Sequence, residues 1–190
     1  IFAPGATAPV TDADDNPLFN LSVMGVATPE TQTKANPALM KGLTFLSGQE
    51  LYDAANAKIK VAREEGNADI VIALGHLGVD KSSEPNCSYN VMQNVKGIDL
   101  FIDGHSHSTT ADIIAKVGDT NVVNGAKIVS TGTALANVGV VIYDQGTGTL
   151  TDELVPAASY TKTDADVAKL VDDRNTAVDK VYGEKIATTE

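Results

Sequence analysis

The chain has 190 residues, 43% of them apolar, which is enough for one ordinary domain with a real core. Its 14 basic and 25 acidic residues give a formal charge of -11. With no stripe rich in Lys or Arg, that charge argues against binding to nucleic acid polymers, and no apolar run is long enough for a transmembrane segment.

Residues 1–19 are rich in Pro, Gly and Asp and read as an irregular lead-in. The chain opens at Ile1 without a Met, so a processed or excised piece is expected. Leu21, Val23, Gly25 and Val26 predict a short strand ending at Thr28-Pro29. The polar stretch from Glu30 to Lys41 reads as a loop. Ser47-Gly48-Gln49-Glu50 has the form of a capping box. The segment Gln49 to Glu65 places Leu51, Ala55, Ile59 and Ala62 at helical spacing, with Gly66 as a stop. The dense run Ala68 to Leu74 reads as a buried strand. The single cysteine, Cys87, lies in a polar loop and reads as a surface thiol. A shorter helix over Tyr89 to Val95 and a strand over Gly97 to Asp103 repeat the pattern. Helices between strands predict a parallel sheet in an α/β fold. Three further strands are expected at Lys127 to Ser130, Val138 to Tyr143 and Thr149 to Val155. The turn cluster Asp144 to Gly148 joins the last two as antiparallel neighbours. A helix over Asp164 to Tyr182 carries the apolar stripe Val167, Leu170, Val171, Val178 and Val181, with Thr163 as its cap.

The three histidines carry the chemical signal. His76 follows one predicted strand in Leu74-Gly75-His76-Leu77-Gly78. His105 and His107 follow the next in Gly104-His105-Ser106-His107-Ser108. In open α/β sheets ligands collect at the carboxyl ends of strands, so two neighbouring parallel strands would bring the three rings to one rim. Neutral imidazole suits zinc, manganese and related ions, and the glycines let the backbone turn sharply. Asp80 and Asp103 are candidates to orient the rings. Asp103 reads more simply as a solvated residue or a cap on the following turn. A single His after a strand is ordinarily a polar loop residue, so the metal reading rests on His76, His105 and His107 together.

At these residues the sequence resembles the bacterial 5'-nucleotidase and UDP-sugar hydrolase family of calcineurin-like metallophosphoesterases. Val23-Met24-Gly25-Val26-Ala27-Thr28-Pro29-Glu30-Thr31 is similar to a family strand and its Thr-Pro-Glu-Thr loop. Ala68 to Gly78 resembles the first His motif, where Ser or Asn more often stands at Gly75. Gly97 to His107 resembles the Gly-His-Ser-His motif. The resemblance implies part of a four-layer α/β/β/α sandwich with mixed sheets. It also implies a hydrolase acting on nucleotides, with two divalent metal ions, zinc, manganese or similar. By motif position, His76 and His105 would bind one ion and His107 the other. The ions would polarise the phosphoryl group and offset its charge.

The family's Asp-x-His motif, its bridging Asp and its Gly-Asn-His-Glu motif should precede the first strand seen here, and none does. The expectation is that residues 1–182 form the C-terminal half of a metallophosphoesterase domain and that 183–190 begin a linker to a substrate-binding domain. The chain by itself is then expected to be inactive, and to associate with its other half or with a copy of itself. The family habit implies an extracellular, periplasmic or cell-wall location. The alternatives are a 2',3'-cyclic-nucleotide phosphodiesterase with 3'-nucleotidase activity, and a non-catalytic metal-binding module.

Overall fold

Val, Ile and Leu concentrate in the segments that form the central ladder. In the computed structural model of the chain, which describes residues 6–118 and 120–183, six strands make one sheet. They are β1 (Ala6–Thr11), β2 (Pro17–Ala27), β3 (Ile70–His76), β4 (Leu100–Ile102), β5 (Val122–Val123) and β6 (Ala126–Val129). Their spatial order is β1-β2-β3-β4-β6-β5. The four central strands β2, β3, β4 and β6 are parallel, and β1 and β5 are antiparallel edges. The fold is therefore mixed α/β. A short helix α1 (Thr31–Lys34), then α2 (Gln49–Glu64), α3 (Ser88–Asn94) and α4 (Thr110–Val117) lie between the strands. These elements all belong to a first unit, residues 1–157.

The alternation of each strand decides which face is dry. Val71 and Ala73 of β3, Met24 and Val26 of β2, and Phe101 of β4 point toward the helices and are buried. They pack with Leu51, Ala55 and Ile59 of α2, Val91 and Met92 of α3, and Ile113 of α4 into one core. The opposite face meets a hairpin of β7 (Asn137–Asp144) and β8 (Thr149–Pro156), paired in antiparallel register. Phe19 and Tyr143 meet edge to face with centroids 5.3 Å apart, and Lys127 reaches Asp152 at 2.6 Å. A cleft of about 300 Å³, lined by Leu21, Ile72, Leu100, Ile102, Val141 and Leu150 among others, remains between the two layers. The second unit, residues 158–190, contains helix α5 (Ala165–Tyr182). Among the described residues no helix is long and apolar enough to cross a membrane. The expected linker from Gly183 onward lies outside the described residues except for Gly183 itself.

Several sequence expectations change on contact with the structure. The lead-in is not irregular throughout, because Ala6–Thr11 pairs with β2. Pro9 is tolerated there because β1 is an edge strand and needs no second partner. The turn that joins them is built by Asp12, whose Oδ1 accepts from Asp14 N and Asn16 N at 2.9 Å. The expected loop after Glu30 holds α1 and a single turn of 3-10 helix at Pro37–Leu39. Ser47 does not cap α2. The N-cap is Gly48 at φ 55, and its amide donates to Asn86 Oδ1 at 2.8 Å. Asp164, rather than Thr163, caps α5 and accepts from the amides of Asp166 and Val167. Cys87 is buried rather than a surface thiol, and that burial pushes its thiol pKa up. β6 joins the main sheet and leaves β7 and β8 as a separate pair. Helix α4 was not anticipated.

Gly75 and Phe101 are locked together. A Cβ on Gly75 would overlap the Phe101 ring, which is fully buried against the helices. Gly75→Ala is expected to cost about 1–3 kcal/mol in a urea titration. In a Phe101→Leu background the same substitution should cost less, and a neutral Gly75→Ala would contradict this packing.

Helix α4 opens with a full capping box. Thr109 Oγ1 accepts from Asp112 N at 3.2 Å, and Asp112 Oδ2 accepts from Thr109 N at 2.8 Å. The Thr109 amide, then its hydroxyl, holds the Asp112 carboxyl below its ordinary pKa. A carboxyl more acidic in the folded chain stabilises fully above its unfolded pKa, and that contribution fades as pH falls through the folded value. The gap in thermal midpoint between the natural chain and Asp112→Asn should therefore narrow as the solution is acidified. A gap independent of pH would show that the carboxylate is not the stabilising form.

Candidate metal centre

The parallel register decides what meets at the carboxyl rim. Ala27 pairs with His76, and Leu74 pairs with Ile102. Three neighbouring strands therefore deliver the loop Thr28-Pro29-Glu30, then His76, then the loop Gly104-His105 to one edge. Thr28 N donates to His76 O at 2.9 Å and extends the ladder by one step. His105 Nδ1 lies 3.2 Å from His76 Nε2, with ring centroids 4.9 Å apart at 66°. Two imidazole nitrogens on one tetrahedral zinc, each bound at about 2.0–2.1 Å, would sit about 3.3–3.4 Å apart. The pair is thus spaced as two ligands of one ion, and also as a hydrogen bond between neutral rings. Neutral imidazole is a borderline donor suited to zinc and similar ions, so the donor chemistry fits such an ion.

His107 does not join them. It is exposed, and its backbone carbonyl lies near Gly132. Among the described residues, no group of three or more His, Cys, Asp or Glu gathers where it could hold a metal ion. What the structure assembles is a close pair of imidazole nitrogens.

Glu30 adds a carboxylate to the same rim. Its Oε2 lies 3.4 Å from His105 Nε2, the ring nitrogen facing away from His76. The three groups therefore do not converge on a point. Lys34 pairs with Glu30 Oε2 at 2.5 Å, and Ser83 Oγ donates to Oε1 at 2.8 Å. Lys34 first, then the Ser83 hydroxyl, holds this carboxyl down at about 2. Sequence reasoning placed Glu30 in a loop and gave it no role. The only signal was its position in the Thr-Pro-Glu-Thr text at the end of a predicted strand.

The loops that carry the histidines are strained and tied down. His105 and His107 have φ values of 85 and 54, in the left-handed region that ordinary residues avoid. Gly78, at φ 75, lies so close to this loop that a Cβ would meet His105 Cδ2 at 3.2 Å. Asp103 is buried, and its Oδ1 accepts from Leu77 N at 3.0 Å and Gly78 N at 3.3 Å. It is therefore neither solvated nor a cap for its own turn, and it contacts backbone amides rather than an imidazole. Asp80 points elsewhere as well, pairing with Lys116 Nζ at 2.5 Å. Lys116 also donates to Ser108 Oγ at 3.2 Å, which accepts from Ser106 Oγ at 3.1 Å. Ser106 Oγ accepts in turn from Val79 N at 3.3 Å. This chain of bonds pins the residue between the two histidines.

No protein-family profile matches the chain. Over 174 residues, 90% of this chain, it is 26% identical to the trifunctional nucleotide phosphoesterase protein YfkN of Bacillus subtilis (strain 168), and it spans 11% of that protein. The crystal structure of the calcineurin-like phosphoesterase YfkN from Bacillus subtilis matches 96% of this chain with a TM-score of 0.72 and 19% identity, and the chain spans 59% of it. The chain is homologous to part of YfkN, and its mixed α/β fold matches that of a calcineurin-like phosphoesterase domain.

The strain at His105 can be measured apart from the chemistry of its ring. His105→Gly and His105→Ala remove the same imidazole, but only alanine keeps the penalty at φ 85. The glycine variant is expected to be more stable by about 1 kcal/mol in chemical denaturation. An alanine variant of equal stability would show that the left-handed geometry is not held in solution.

Proposed function

From this homology, we propose that the chain is the segment of a metal-dependent nucleotide phosphoesterase that supplies His76, His105 and His107 to a two-ion centre. Similarity to a nucleotide phosphoesterase supports a hydrolase of the phosphoesterase class. The observation that carries the site is the 3.2 Å approach of His105 Nδ1 to His76 Nε2 at the carboxyl ends of parallel strands. These two residues take one divalent ion, and His107 takes a second once the remaining ligands are supplied from outside these 190 residues. The family motifs expected ahead of the first strand, with their carboxylates and their Asn-His pair, would supply them. Residues 1–182 then act as the C-terminal half of the catalytic domain, in a protein working outside the cytoplasm.

When bound, such an ion polarises a phosphoryl oxygen and offsets charge developing in the transition state. The chain's own contribution is to bind and orient. Asp103 holds the Leu77-Gly78 amides, and Ser106 holds Val79 N, so that both histidine loops keep a fixed distance. With a net charge of -11, the surface repels an anionic substrate. Bound cations are thus needed to bring a nucleotide phosphate to this rim.

Calorimetric titration with zinc and with manganese tests this reading. One binding event is expected that His76→Ala and His105→Ala each weaken at least tenfold, and that His107→Ala leaves nearly unchanged. Equal affinity in a His76→Ala, His105→Ala double variant would overturn the site. Hydrolysis of AMP by the chain alone is expected to be negligible, and turnover near that of a complete enzyme would show that the remaining ligands are not required.

A further inference from the structure

We propose that Glu30 is a positioning residue that fixes the orientation and tautomer of His105, so that His105 presents its Nδ1 lone pair toward His76 and binds a metal through that nitrogen. This rests on the reading that His76 and His105 share an ion. The carboxylate lies 3.4 Å from His105 Nε2, on the side of the ring opposite to His76. An ionised carboxylate only accepts hydrogen bonds, so a hydrogen bond across this 3.4 Å contact places the proton on Nε2. A neutral imidazole has one N–H, and placing it on Nε2 leaves Nδ1 with a free lone pair. Without an ion, His76 Nε2–H donates to that lone pair. Were an ion bound here, His76 would carry its proton on Nδ1, and His76 Nε2 and His105 Nδ1 would be the nitrogens that hold it. A metal-binding histidine that gives its other N–H to a carboxylate is held in rotamer and tautomer and made more basic.

Glu30 is itself anchored from several directions. Its amide donates to Thr28 Oγ1 at 3.2 Å, Ser83 in the loop after β3 donates to Oε1, and Lys34 one helical turn on pairs with Oε2. These partners belong to the loop after β2, the 3-10 turn at Lys81–Ser83 and α1, and they hold the carboxylate beside His105. A residue serving only as a partner for Lys34 would have no reason to be fixed by Ser83 as well.

The test uses the purified chain labelled with 15N at histidine. Long-range 1H–15N correlation spectra report which nitrogen of His105 carries the proton, with and without zinc, and calorimetry gives zinc affinity for the natural chain, Glu30→Gln and Glu30→Ala. The expected result is protonated Nε2 in both states and zinc on Nδ1. Affinity should fall about 10- to 100-fold in Glu30→Ala. Glu30→Gln, whose amide oxygen still accepts from Nε2–H, should recover part of it. Zinc affinity within twofold of the natural chain in Glu30→Ala, with the same tautomer, would overturn the proposal. If the natural chain takes no zinc, the reading of the centre fails. The metal-free spectra then still decide whether Glu30 sets the ring, since loss of the Nε2–H form in Glu30→Ala would uphold its role and an unchanged tautomer would refute it.

Discussion

The buried carboxylate of Asp103 ties the two histidine loops into one rim. It stands one residue past β4, where its own amide donates to Val129 O and continues the ladder to β6. Its side chain crosses to β3 and takes the amides of Leu77 and Gly78. A buried charge is tolerated only when its lone pairs are used, and buried amides left without a partner cost about 1–3 kcal/mol each. Satisfying both at once ties the segment after His76 to the segment before His105. The 3.2 Å approach of the two rings follows from that coupling as much as from the strand register.

The rim carries strain that the layers beneath it hold in place. His105 and His107 keep left-handed backbone conformations that cost on the order of 1–3 kcal/mol each. The bonds from Lys116 through Ser108 and Ser106 to Val79 secure the loop in that form. Lys116 stands on α4, whose capping box fixes where the helix begins. The helix is anchored through Ile113 in the common core. Gly75 admits the Phe101 ring just below His76, so the floor of the rim is densely packed. A stiff apolar base thus carries a polar edge of which His76 and His107 remain exposed.

Electrostatics at this edge are split between two kinds of carboxylate. Asp80 and Glu30 are matched by lysines, Lys116 and Lys34, while Asp103 is matched by backbone amides. None of the three faces the gap between His76 and His105. In that gap His105 Nδ1 and His76 Nε2 face each other at 3.2 Å.

Much of the scaffold was legible in the residues. The helical spacing of Leu51, Ala55 and Ile59, the apolar runs at Ala68–Leu74 and Gly97–Asp103, and the turn cluster at Asp144–Gly148 each report a local periodicity, which depends on neighbours in the chain alone. Gly-His at the ends of two such runs also marked the rim where His76 and His105 meet. The edge strand β1, the true caps of α2 and α5 and the burial of Cys87 were not readable, because each depends on partners distant in sequence or on competition among neighbouring polar residues. Helix α4 left a trace in Thr109 and Asp112 that was too short to separate from a loop. The contacts of Glu30 and Asp103, and the close approach of His105 to His76, depend on tertiary structure. Sequence spacing fixes which residues end a strand, but strand register and the turn after it fix the direction of each side chain, and a metal centre is made of directions.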